Sequence, residues 1–131
     1  MNNNNKEYFD KIQDMKEKFS EFLKERDWQQ FHNPKDIAIA LSIESNELLE
    51  IFEWKTTQES WDLLKEKKQE IELEVADIMH FLIAFSNATG IDLYDAFIKK
   101  LEINNKRYPK ELVKGKTHKY NYYEHNNLKN K

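Results

Sequence analysis

The sequence predicts an all-α fold: a four-helix bundle that assembles into an oligomer. Three observations predict it. Only 2 Gly and 2 Pro occur in 131 residues, so little interrupts a helix. Apolar residues recur at three- and four-residue spacings, and no stretch shows the alternation of a strand. Charged residues make up 34% and aromatics 13%, enough for solvated outer faces around a real core. The length suits one domain.

Residues 1–6 read as a disordered polar leader, with Asn2 to Asn5 in a row. The helical domain spans 7–109. Its first helix runs from Tyr8 to about Arg26, carried by Phe9, Ile12, Met15, Phe19, Phe22 and Leu23. A ring-rich loop, Asp27 to His32, follows. Asn33-Pro34 is an N-cap and first helical residue, and Asp36 suits the positive end of the dipole. That second helix is expected to reach Trp54. Thr56 to Glu59 reads as a break, with a short helix at Trp61 to Leu64. The third long helix spans about Lys67 to Thr89 and stops at Gly90. The fourth runs from near Asp92 to Tyr108, ahead of Pro109. Residues 110–131 form a basic, polar C-terminal tail.

Composition excludes several roles. The net charge of -3 leaves no basic excess for nucleic acid. Without cysteine there are no disulfides and no thiolate ligands. The Met1–Lys6 start has no apolar h-region, so no signal peptide is expected. No apolar run approaches the roughly 18–20 residues of a membrane span. A soluble, cytoplasmic protein is expected.

The informative residues are carboxylates inside apolar stripes. With Ile37 at zero and about 100° per residue, Leu41, Leu48, Ile51 and Phe52 define the buried face of the second helix. Glu44 falls at roughly -20°, within that face, and Glu47 at roughly -80°, on its shoulder. Glu50 and Glu53 point away. On the third helix Ile71, Val75, Ile78, Leu82 and Phe85 make the stripe, flanked by Glu74 and Asp77. From Val75 to Phe85 nearly every residue is apolar, which marks a helix buried on most sides and, in a small bundle, a subunit interface.

Four carboxylates turned inward are costly without a counter-charge. An all-oxygen set suits Mg²⁺, with Mn²⁺ as the alternative, and Mg²⁺ keeps places for substrate phosphate oxygens. An E-x-x-E or E-x-x-D alone is usually a solvated face; two such pairs beside apolar stripes on consecutive long helices point to a metal site. Lys100, Asn104 and Arg107 share one helical face and are donors of the phosphate-holding type. Alone they read equally as basic residues at a helix C-terminus. Two rivals stand beside an enzyme. A di-iron carboxylate bundle would use Asp77-x-x-His80, but needs a histidine on a second helix as well, and the second helix has none. A non-enzymatic helical interaction module would bind no metal. His80 reads as a packing or interface residue, His32 as a loop residue and Trp61 as structural.

These residues resemble the MazG-like nucleoside triphosphate pyrophosphohydrolases, dCTP pyrophosphatase branch. The resemblance lies in Glu25-Arg26-Asp27-Trp28, Phe31-His32-Asn33-Pro34, Ser42 to Leu48, Phe52-Glu53-Trp54-Lys55 and Lys100 to Pro109, with the paired E-x-x-E and E-x-x-D. It covers about Phe19 to Tyr120. It implies an all-α, MazG-like, oligomeric fold, commonly a tetramer. It also implies hydrolysis of a nucleoside triphosphate, dCTP or a related pyrimidine nucleotide, to monophosphate and pyrophosphate, in cleansing of the nucleotide pool. By position, Glu44, Glu47, Glu74 and Asp77 would hold the metal, with Glu44 or Glu47 nearest the attacking water. Trp28 and Trp54 would contact the base, with Phe81 beside it, and Lys100, Asn104 and Arg107 would lie near the phosphates. The sequence departs from the family where Ile43-Glu44-Ser45-Asn46-Glu47 lacks both usual glycines. Phe19 and Phe81 stand where the animal enzymes carry a polar ring, which implies a broader base tolerance.

Overall fold

The computed structural model describes residues 4–119 and 121–122, with residues 4–10 described by their helical backbone. The helices are α1 (Asn4–Glu25), α2 (Pro34–Phe52), α3 (Thr57–Glu66), α4 (Lys68–Thr89), α5 (Leu93–Arg107) and α6 (Lys110–Val113), with a 3-10 turn at Gln29–Phe31. No strand occurs among the described residues. The chain forms two compact units, 1–91 and 92–131.

Local chemistry sets the helix ends. Asn33 accepts from the Asp36 amide at 3.0 Å, and Pro34 opens α2. Gly90 ends α4 with φ +73°, a left-handed position that needs no Cβ, and its amide reaches the Ser86 carbonyl at 2.9 Å. Asp92 caps α5 by accepting from the Asp95 amide at 2.9 Å. These termini follow the sequence. Others differ from expectation. α1 begins at Asn4, so it takes in Asn4 to Lys6 of the expected leader. α2 stops at Phe52, two residues short of Trp54. The expected break at Thr56 to Glu59 is instead a helix start. Thr56 Oγ1 accepts from the Glu59 amide at 3.3 Å, and the Glu59 carboxylate accepts from the Thr56 amide at 2.7 Å. That reciprocal pair extends the short helix to ten residues, Thr57–Glu66. The expected tail opens with α6; Tyr120 and 123–131 lie outside the described residues.

Asp27 adopts φ +52° just past α1. There the Asp27 amide bonds the Lys24 carbonyl at 3.1 Å and the Trp28 amide bonds the Leu23 carbonyl at 2.9 Å. This pattern terminates the helix and turns the chain back, and a short polar side chain tolerates it better than most. Trp28 thereby lies edge-on to Phe22, with centroids 5.9 Å apart.

In the first unit α4 is the central helix, packed against α1, α2 and α3. The core consists of Leu23 from α1, Ile37 from α2, Leu63 from α3, and Ile71, Ile83, Ala84 and Ser86 from α4. Ser86 satisfies its buried hydroxyl by donating to the Ile91 carbonyl at 2.6 Å. Asn87 donates to the Lys16 carbonyl at 3.2 Å and ties α4 to α1. The expected α4 stripe needs correction: Ile71 is buried, but Val75 is 50% and Leu82 37% exposed, while Ile83 and Ala84 are buried instead. A helix apolar on most sides has no periodicity from which the inner face can be chosen. α5 and α6 belong to the second unit.

Candidate functional site

Glu44 lies in the middle of α2, and Glu74 and Asp77 lie one turn apart on α4. The tight α2–α4 packing brings them together: one carboxylate oxygen from each falls within 4.8 Å of the others, and all three are half-buried. Glu47 stands one turn after Glu44 at the exposed rim. Its charge helps to raise the carboxyls of both Glu44 and Glu74. Three of the four residues expected from sequence therefore converge, with Glu47 beside them at the rim.

The electrostatics are those of a site short of positive charge. The Glu44 carboxyl is held above its ordinary range, first by partial removal from water and then by the charges of Glu47 and Asp77. The Glu74 carboxyl is raised by the same loss of water and then by Glu47. Oε2 of Glu74 is buried with no hydrogen-bond partner among the described residues. An orphaned acceptor inside a cluster of like charges lacks a donor or a cation. An oxygen set of carboxylates alone fits a hard divalent cation, so these residues fit the metal they were expected to hold.

Two cavities open on this cluster. One, about 500 Å³, lies among α2, α3 and α4 and is lined by Glu47, Glu50, Trp54, Lys67, Glu70 and Glu74 among others. Trp54, 86% exposed, stands in its wall. The other, about 590 Å³, lies between α1 and α4 and reaches Asp77. Phe19 lines this second cavity. Trp28 lies at its edge only through Phe22, and Phe81 lines neither. The tryptophans and Phe19 thus do not share one cavity within a single chain. On α5, in the second unit, Lys100 and Arg107 are exposed and Asn104 half-buried on one helical face. Trp61, read as structural, is 64% exposed on α3.

Sequence reasoning passed over Glu70. Glu70 lies one turn before Glu74 and lines its cavity, a spacing visible in the sequence. His80, read as packing, stacks on Phe19 with centroids 4.8 Å apart and planes at 7°. Its Nδ1 is 3.6 Å from Oδ1 of Asp77.

The profile of the MazG-like family matches residues 39–122, which includes all four carboxylates. Human dCTP pyrophosphatase 1 is 34% identical over 83% of this chain. The rat dCTP pyrophosphatase 1 is 36% identical over 83% of the chain. The chain spans 65% of the length of these relatives. Among solved structures, a pyrophosphatase from Archaeoglobus fulgidus is similar with a TM-score of 0.66 at 33% identity, covering 83% of this chain and 95% of its own. A half-buried carboxylate trio on two packed helices, with Glu47 at its rim, and the family match over most of the chain agree: this protein belongs to the MazG-like family.

Proposed function

We propose that the protein is a Mg²⁺-dependent nucleoside triphosphate pyrophosphohydrolase that cleaves dCTP and related pyrimidine deoxynucleotides to monophosphate and pyrophosphate. The observation that carries the reading is the convergence of Glu44, Glu74 and Asp77, of which Glu74 has a buried Oε2 without a hydrogen-bond partner among the described residues. The relatives' name, dCTP pyrophosphatase, supplies the substrate class.

In this reading Glu44, Glu74 and Asp77 hold the cation, with Glu47 completing the set. A bound cation would neutralise phosphate charge and polarise a phosphoryl oxygen. Glu47 is the carboxylate free to orient the attacking water, because it is exposed beside Glu44 and Glu74. Trp54 offers its ring to the nucleotide at the mouth of the acidic cavity. Lys67 and Lys55 line the same cavity and bring positive charge for the phosphate tail. Within the second unit, Lys100, Asn104 and Arg107 share one face of α5 and are donors of the phosphate-holding type. No helix among the described residues is long and apolar enough to cross a membrane. Nucleotide-pool cleansing in the cytoplasm is the fitting role.

The protein works as an oligomer, a tetramer by family likeness. The support is apolar surface left open on both site-bearing helices: Ile39, Ile43 and Leu49 on α2 are each 52% exposed, and Leu73 on α4 is 60% exposed.

The test is a panel of deoxynucleoside triphosphates with Mg²⁺ and with EDTA, the products read by phosphorus NMR. Pyrophosphate and monophosphate from dCTP, with Mg²⁺ only, is the expected result. Diphosphate plus orthophosphate, or no turnover of any nucleotide, would overturn the reading.

A further inference from the structure

The 500 Å³ cavity among α2, α3 and α4 is lined by Glu47 and Glu74 of the carboxylate cluster and by Trp54. Glu70 lines the same cavity one turn before Glu74, about 6 Å along the axis of α4. A nucleotide whose base lies on Trp54 and whose phosphates reach Glu74 has Glu70 beside it. Glu70 is also an acid held in place. Its Oε2 meets Nζ of Lys67 at 3.2 Å, with the two side chains about half exposed. Oε1 has no hydrogen-bond partner among the described residues. Glu50 lines the cavity from α2 but has no ion pair among the described residues.

We propose that Glu70 is a specificity-determining residue, whose carboxylate accepts from the exocyclic amine of a cytosine base lying on Trp54. The inference rests on the nucleotide-hydrolase reading above. The Trp54 ring gives a base a face to stack on, and every base satisfies that face alike. Telling cytosine from uracil takes a polar group at the edge where the two differ. Cytosine presents an amine there, and uracil or thymine presents a carbonyl oxygen. A carboxylate is acceptor-only, so it pairs with the amine and meets the carbonyl acceptor to acceptor. Lys67 occupies Oε2 and leaves Oε1 for the base. An ion pair this exposed adds little stability, so its consequence is the orientation of the carboxylate. The remaining ammonium hydrogens of Lys67 stay available to the phosphate tail. A fixed hydrogen-bond partner discriminates strongly where packing alone discriminates weakly.

The experiment compares kcat and KM for dCTP and dUTP in the parent, in Glu70→Gln and in Glu50→Gln. Glu70→Gln keeps the length of the side chain and adds a donor, so its amide serves either base. The dCTP-to-dUTP ratio of kcat/KM is expected to fall roughly tenfold in Glu70→Gln, through KM, and to hold in Glu50→Gln. An unchanged ratio in Glu70→Gln, or an equal fall in Glu50→Gln, overturns the proposal. Carboxyl-carbon NMR of the parent protein gives a second reading that needs no folded variant. Added dCMP is expected to shift the Glu70 resonance and dUMP to leave it in place. Equal response to both, or to neither, overturns the proposal. A dCMP-specific shift in a protein that hydrolyses no triphosphate would uphold the base contact and refute the hydrolase reading instead.

Discussion

Removal of one charge from the carboxylate cluster should stabilise the metal-free protein. Glu44→Gln keeps the shape of the side chain and deletes its charge. In the parent, Glu44 and Asp77 place oxygens within 4.8 Å of each other. Two like unit charges at that distance repel by about 0.9 kcal/mol in a water-like medium and about 3.5 kcal/mol at an effective dielectric of 20. Glu44 is only half-buried, so solvent screening holds the value near the lower figure, about 1 kcal/mol. For a 131-residue chain that corresponds to a rise in Tm of about 4 °C. The pH dependence has a definite sign. The folded-state pKa of Glu44 is raised, so the folded state binds this proton more tightly than the unfolded chain does. Stability from this group is full below the unfolded carboxylate range and is lost as pH rises through the raised folded value. With EDTA present, the parent should therefore lose Tm from about pH 4.5 upward toward neutrality, and Glu44→Gln should lose less. Added Mg²⁺ should raise the Tm of the parent at neutral pH and raise that of the variant far less. Thermal denaturation by circular dichroism, at one protein concentration, measures all three. A metal-free Glu44→Gln that melts below the parent, or equal Mg²⁺ gains in both, would refute the argument.

Trp54→Ala should raise KM at least about fivefold for every nucleotide while the Mg²⁺-induced gain in Tm persists, since stacking contributes about 1–3 kcal/mol whatever the base; steady-state kinetics on the nucleotide panel check this. Thr56→Ala removes half of the cap of α3 and should cost about 1 kcal/mol, measured by urea denaturation; no loss would mean the cap is dispensable. Asp77→Asn should abolish turnover while circular dichroism stays helical, and retained full activity would remove Asp77 from the site. Light scattering should give a mass well above the 15.9 kDa of one chain, and Leu73→Glu should lower it.

Much of this molecule could be read from residue order. Asn33-Pro34, Gly90 and Asp92 mark helix ends because each acts on backbone groups within four residues of itself. The convergence of Glu44 and Glu74 was also legible, because acidic residues within apolar stripes on two helices must meet where those stripes pack. What escaped was of two kinds. The Thr56 and Glu59 pair is a local signal, obscured because its polar residues resemble a loop as much as a cap. The pairing of His80 with Phe19 spans α1 and α4, and no spacing along one helix encodes it. The inner face of α4 was mis-set for a related reason: with apolar residues on most sides, only its neighbours decide which of them are covered.

The placement of α1 carries a consequence for how such a protein can diversify. The helix contributes no carboxylate to the cluster, yet Met15, Phe19 and Phe22 furnish much of the wall of the cavity that touches Asp77. The carboxylates and this cavity wall are thus carried by different helices. Substitutions at these three positions remodel the cavity, while the acidic pairs stay fixed by the packing of α2 on α4. Sequence change on α1 can therefore reshape the cavity without passing through an intermediate that has lost the acidic cluster.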